Sequence, residues 1–114
     1  MGIKFFSLFI VAMTASVSAS PAQDRGTRNA IDNTVSLVMA NKYCTDYFVD
    51  LDRGSALLDK LGIQLAIEPN KSYFDTRISY TRSRIGELGI KGFCDAAYKD
   101  FHPRGPLSGL MMRK

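Results

Sequence analysis

Two cysteines constrain this chain more than any other feature of its sequence. Cys44 and Cys94 are the only cysteines among 114 residues, and about fifty residues separate them. They allow a single intramolecular pairing, which would tie together two distant parts of a small fold. The alternative is a pair of free thiols, but the sequence lacks a Cys-x-x-Cys motif and begins with an export signal. We therefore expect a disulfide, worth about 4 kcal/mol in the chain-entropy treatment of a loop this long.

The N-terminus has the three parts of a secretory signal peptide. Lys4 supplies a positive charge, Phe5–Met13 is apolar, and small residues follow at positions 17–19. We interpret residues 1–19 as the signal peptide, with cleavage as late as residue 22 as an alternative. The apolar stretch holds about nine residues, whereas a membrane span needs roughly twenty. The sequence thus predicts a periplasmic or secreted protein without a stable membrane anchor.

The mature chain is small and weakly basic. Roughly 95 residues form one domain, whose core leaves a narrow margin of stability that a disulfide would widen. After removal of Lys4, fourteen Lys and Arg oppose eleven Asp and Glu, and the two signs are interleaved. Nucleic-acid binding requires a denser basic stripe, so we do not expect a nucleic-acid partner.

Apolar residues at spacings of three and four predict two helices in the first half of the domain. The first begins at a cap on Thr27 or Asn29 and runs to about Lys42, so that Cys44 lies at its end. The second begins at Asp50 or Asp52 and stops at residue 62, where a glycine can adopt the left-handed conformation of a helix end.

Two further helices are predicted in the second half, separated by glycines. The third begins at Asn70 or Ser72, and the fourth contains Cys94 and ends at the proline-rich stretch 102–106. Between them, glycines recur at every third position, and each costs up to about 1 kcal/mol relative to alanine inside a helix. We interpret this stretch as a break, and whether it acts as a hinge is left open. The three residues are Gly86, Gly89 and Gly92.

These patterns predict an all-α fold, a small bundle of about four short helices stapled by one disulfide. Residues 20–28 would form a flexible leader, 29–106 the helical domain and 107–114 a C-terminal tail. The tail contains Leu110, Met111 and Met112 and would either fray or dock against the domain.

The sequence offers little support for catalysis or for a bound cofactor. Asp50–Gly54 resembles the start of a calcium loop, but Leu61 stands where a bidentate carboxylate is required. His102 is the only histidine, and no carboxylates stand at a recognisable metal-ligand spacing from it. No serine lies on a nucleophile-elbow pattern. We therefore expect no enzymatic activity, no metal and no cofactor.

The aromatic residues beside the first cysteine are the candidate partner surface. Tyr43, Tyr47 and Phe48 cluster around Cys44, and exposed aromatic side chains often anchor a binding partner. The competing interpretation places all three in the hydrophobic core. It is favoured because large apolar residues are more often buried than exposed.

One short segment resembles a known family. The run Cys44-Thr45-Asp46-Tyr47-Phe48-Val49-Asp50, together with the position of Cys94, is similar to the small periplasmic acid-stress chaperones of the HdeA/HdeB type. The resemblance implies a helical, disulfide-bonded dimer that loosens in acid and coats unfolding client proteins. Such a response requires carboxylates whose protonation weakens the native state, and Asp46 and Asp50 are candidates.

The sequence therefore favours a small, exported, non-catalytic helical protein that binds another exported or envelope protein. An acid-stress chaperone is the first alternative, and a small inhibitor or immunity protein is the second. A homodimer is left open.

Overall fold

A computed structural model describes residues 24–104 and 109–114. The predicted signal peptide lies outside these residues. The described elements are three helices and two short strands, in the order α1 (Arg25–Tyr43), β1 (Tyr47–Val49), α2 (Leu51–Lys60), α3 (Asn70–Phe101) and β2 (Met111–Arg113). The fold is thus mostly helical, as expected, but it also contains a two-stranded antiparallel sheet.

Helix α1 is the central element. Asp24 caps it, because its carboxylate accepts a hydrogen bond of 2.6 Å from the backbone N–H of Thr27. The helix therefore begins within the stretch interpreted as a leader. It ends at Tyr43, and Cys44 forms its C-cap. Most of its buried side chains form the centre of the core, and these are Ile31, Val35, Leu37, Met39 and Ala40.

Helix α2 covers one side of α1. Its cap is Asp50, one of the two predicted residues, whose carboxylate accepts a hydrogen bond of 3.0 Å from the backbone N–H of Arg53. The two helices approach closely at Gly54, where a Cβ atom would lie 2.7 Å from a methyl carbon of Leu37. The helix stops before Gly62, whose φ of 73° confirms the predicted left-handed end.

Helix α3 corrects the prediction of about four helices, because the two helices expected in the second half are one. Glu68 supports its start, since the backbone N–H and hydroxyl of Ser72 both donate to the Glu68 carboxylate. Gly89 is the single residue with non-helical angles inside it, with φ 79° and ψ 158°. Helical residues resume at Ile90, so the predicted break is present as a single non-helical residue at which two helical segments of α3 meet.

The bend at Gly89 lets α3 pack along α1 twice. Before it, Tyr73 and Arg77 contact Asp32 in the first half of α1. After it, Cys94 is bonded to Cys44 at the end of α1. Further on, Phe101 and Leu37 line a common groove. The first part of α3 therefore runs in the same direction as α1, and the second part runs back along it.

The disulfide Cys44–Cys94 is present as predicted. Its two Cα atoms are 5.6 Å apart, and both residues are buried. It joins the end of α1 to the returning part of α3. Such a bond fits an exported protein. Across residues 24–104 and 109–114, no helix has both the length and the apolar character of a transmembrane span.

The C-terminal residues dock rather than fray. Strands β1 and β2 pair antiparallel, with Tyr47 opposite Arg113 and Phe48 opposite Met112. Backbone hydrogen bonds from Asp50 to Leu110 and from Lys114 to Asp46 extend the pairing at both ends. Met111 is completely buried and Leu110 nearly so, which anchors this ribbon in the core.

Candidate interaction surface

The outer face of the ribbon carries exposed apolar side chains from both strands. In β1, alternation turns Tyr47 and Val49 toward the protein and Phe48 toward solvent, where 70% of its surface is exposed. Its cross-strand partner Met112 is 49% exposed, and Leu51, at the start of α2, is 36% exposed. We refer to Phe48, Leu51 and Met112 as the ribbon face.

A shallow pocket of about 400 Å³ lies at the ribbon face. The charged residues in its lining are Asp50 and Asp52, and neither forms an ion pair with any residue that the structure describes. One oxygen of Asp50 accepts the capping hydrogen bond of α2, which leaves the other available. The pocket therefore combines an apolar centre with a negative rim. Its full lining is Phe48, Val49, Asp50, Leu51, Asp52, Gly109 and Met112.

Aromatic packing holds the ribbon against α3 from beneath. The ring of Tyr47 lies 5.0 Å from that of Tyr98, and its hydroxyl donates a long hydrogen bond of 3.5 Å to Asp95. The guanidinium of Arg113 lies 4.8 Å from the centre of the Tyr98 ring and 5.5 Å from that of Tyr47. These contacts fix the inner face of both strands, so the orientation of Phe48 is fixed as well.

An exposed ion pair borders this packing. Lys91 donates a hydrogen bond of 2.8 Å to Asp95, one turn further along α3. That hydrogen bond lowers the pKa of the Asp95 carboxyl below its ordinary value of 3.8 and raises the pKa of Lys91. Both residues are exposed, so the pair contributes little to stability at neutral pH.

The three residues of the predicted partner surface occupy different environments. Tyr47 is buried, and Tyr43 is half-buried against the core with the ammonium of Lys42 5.4 Å from its ring centre. Phe48 alone is exposed. Sequence reasoning missed Met112, its partner in the face, because the two residues are distant in the chain. The available signal for a strand was a run of three residues that favour strands, Tyr47-Phe48-Val49, between two aspartates.

A second apolar groove lies between α1 and α2. Its volume is about 310 Å³, and Leu57 and Leu61 form one wall, with 42% and 64% of their surfaces exposed. Leu58, Phe101 and Leu110 also line it. Its lining holds no charged side chain among the residues described, so nothing in the groove specifies the charge of an occupant.

The remaining polar clusters have structural roles. Asp32 accepts a hydrogen bond of 2.9 Å from the Tyr73 hydroxyl and lies 2.9 Å from Nε of Arg77, which joins α1 to α3. Burial and the bond to Asp32 raise the pKa of Tyr73. The Nδ1 atom of His102 accepts a hydrogen bond from the backbone N–H of Arg104 just beyond α3. Within the described ranges, no group of three or more His, Cys, Asp or Glu residues could hold a metal ion.

The chain matches no protein-family model, and no curated protein or solved structure is significantly similar to it. The geometry of the ribbon face therefore carries the functional argument by itself.

Proposed function

We propose that this chain is an exported, non-catalytic helical protein that binds another exported or envelope protein through the ribbon face. The observation that carries the proposal is the orientation of Phe48, which packing on the opposite side of β1 holds in solvent. Exposing one large apolar side chain is ordinary, but three that share one pocket are typical of a docking site.

The disulfide and the signal peptide predicted from the sequence support the location of this partner outside the cytoplasm. Cys44 immediately precedes the turn into β1, and Cys94 is one residue before Asp95, which contacts Tyr47. The covalent bond thus lies directly beside the packing that supports the ribbon. A rigid support favours binding because fewer conformations are lost on association.

Site-specific photo-crosslinking tests this proposal. A photoreactive residue replaces Phe48 in the chain expressed in its own organism, and a matched variant carries it at Ile67, which is 55% exposed and lies outside the ribbon face. We expect one stoichiometric protein adduct from position 48 and none from position 67. Equal capture of the same proteins at both positions would contradict a specific ribbon-face partner. An adduct to a single enzyme whose activity falls on binding would identify the inhibitor or immunity class.

An acid-stress chaperone is the second candidate, and one observation favours it. Two carboxyls that support the native state have lowered pKa values, Asp24 chiefly through the backbone N–H of Thr27 and Asp95 chiefly through Lys91. Acid removes both interactions, and because both carboxyls are exposed, the start of α1 and the support of the ribbon each lose a small stabilisation. This candidate requires binding of an apolar dye to appear below about pH 3 and to reverse on neutralisation. Unchanged dye fluorescence across that range would eliminate it.

A further inference from the structure

The charges around the ribbon face limit what can dock there. The alternation that turns Phe48 outward also turns Asp46 and Asp50 outward on either side of it, and all three are exposed. Lys114 lies opposite Asp46, to whose carbonyl its backbone N–H donates. At the other end Asp52 joins Asp50 in the lining of the pocket. Negative charge is therefore concentrated where α2 begins.

Among the described residues, no Lys or Arg lines this pocket. Arg53 is the nearest cation in the sequence, and its guanidinium packs behind the lining residue Gly109, where Nη1 lies 2.7 Å from the position of a Cβ atom. Arg53 forms no ion pair with Asp50 or Asp52, and neither do the other cations of the described ranges. A partner that covered the pocket without a positive charge would leave two carboxylates partly desolvated and unpaired, which is unfavourable.

We propose that the ribbon face binds a segment of a partner protein in which a Lys or Arg accompanies an apolar side chain. The inference rests on the proposed function and specifies the chemistry of the partner. The apolar side chain packs between Phe48 and Met112, whose flexible thioether adapts to its shape. The cation lies near the exposed Phe48 ring and beside Asp50 and Asp52, where cation–π attraction and ion pairing act together.

Selection from a random peptide library displayed on phage tests this inference, with the oxidised chain as the immobilised target. We expect enrichment of peptides that carry Lys or Arg within a few residues of Leu, Met or an aromatic residue. One selected peptide is then synthesised, and its binding site is mapped by chemical-shift changes in the isotopically labelled chain. The expected shifts lie in residues 46–52 and 109–114.

Charge variants separate the electrostatic part of the inference from the apolar part. Asp50→Asn preserves a good helix cap, and together with Asp52→Asn it removes both charges from the pocket. We expect this double variant to weaken binding of the basic peptide about three- to tenfold, and Phe48→Ser to weaken it about tenfold or more. Asp59→Asn, on the exposed surface of α2 outside the pocket, is the matched control and should leave binding unchanged. Circular dichroism checks that each variant is folded.

Each other outcome overturns a stated part of the argument. Peptides that map to the ribbon face but lack basic residues and tolerate the double Asn variant would overturn the charge inference and leave the proposed function intact. Peptides that map to the groove between α1 and α2 would overturn both. Concentration-dependent shifts at the ribbon face without peptide would assign the surface to a second copy of the chain. Failure to enrich any peptide would overturn the inference, whereas the crosslinking experiment would still test the function.

Discussion

Alanine substitutions at two glycines of α3 should change stability in opposite directions. Gly86 is helical and Gly89 is not, and a Cβ atom at either position would have no neighbour within 4 Å beyond the adjacent residues and the backbone of its own helix. Steric overlap with neighbouring groups is thus absent at both sites. The difference between the two substitutions therefore reports backbone conformation alone.

The magnitudes follow from the angles of each residue. With φ 79° and ψ 158°, Gly89 lies in a region that side chains with a Cβ rarely enter, at a cost of about 1–3 kcal/mol. Alanine also restricts the unfolded chain, which recovers about 0.4–1 kcal/mol. We expect Gly89→Ala to lower the free energy of unfolding by about 1–2 kcal/mol. Gly86→Ala should raise it by about 0.5–1 kcal/mol, because alanine is the better helix former.

Urea denaturation of the two oxidised variants, followed by circular dichroism, measures this difference. A separation of about 2 kcal/mol corresponds to roughly 8–16 °C between their melting temperatures for a domain of this size. If Gly89→Ala matched or exceeded the stability of Gly86→Ala, residue 89 would be helical. The reversal of α3 along α1 would then be refuted.

Three further predictions concern the ribbon and its support. Replacing both cysteines by serine should lower the free energy of unfolding by up to about 4 kcal/mol, as measured by denaturation against the oxidised protein. Met111→Ala should lower the free energy of unfolding by about 2–5 kcal/mol and Met112→Ala by less than about 0.5 kcal/mol. The reason is that Met111 faces the core and Met112 faces solvent. Equal losses in a denaturation experiment would contradict the ribbon register. The hydrogen bond from Lys91 lowers the pKa of Asp95. The stabilisation that this bond gives the folded protein is therefore complete at pH values above the ordinary pKa of 3.8 and is lost as the pH falls further. Asp95→Asn should therefore be slightly less stable than the native protein at pH 7, since the pair is exposed, and equal to it near pH 2. A difference that persisted in acid would rule out this linkage.

Local signals in the sequence predicted the features that depend on local structure. Apolar spacing located α1 and α2, Asp50 marked the start of one helix, and Gly62 marked its end. Each of these depends on interactions within a few residues, such as a carboxylate near the free N–H groups of a first turn. The disulfide was also predictable, since two cysteines allow one intramolecular pairing.

The number of helices was not predictable from the same signals. Three glycines at every third position indicated a break, and the chain does change direction among them at Gly89. Whether a loop separates the two helical segments or they meet at one residue depends on the residues that follow. Here Ile90 continues the helix at once, whereas a helix boundary in the sequence would normally show a cap or a proline. Gly86 and Gly92 remain helical, so two of the three glycines carry the cost of low helix propensity without changing the path of the chain.

The ribbon was missed because its strands are three residues long and far apart in the sequence. Strand alternation needs about four or more residues to stand out, and a strand without a neighbour is not a sheet. Residues 111–113 become a strand only beside β1, and the intervening chain includes all of α2 and α3. The tail residues Met111 and Met112 were recognised as able to dock, but nothing in the sequence indicated where.

The candidate surface therefore depends on long-range structure rather than on a local motif. The bend at Gly89 returns α3 along α1, which brings Tyr98 beneath β1. The packing of Tyr47 on Tyr98 then fixes which side of the strand faces the protein, and the next residue, Phe48, must face solvent. A slip of one residue in this pairing would bury Phe48 and expose Tyr47. A buried tyrosine on one strand and a buried methionine on the other fix the register. The exposure of Phe48 therefore follows from the packing of the core and does not depend on which side chain stands at position 48.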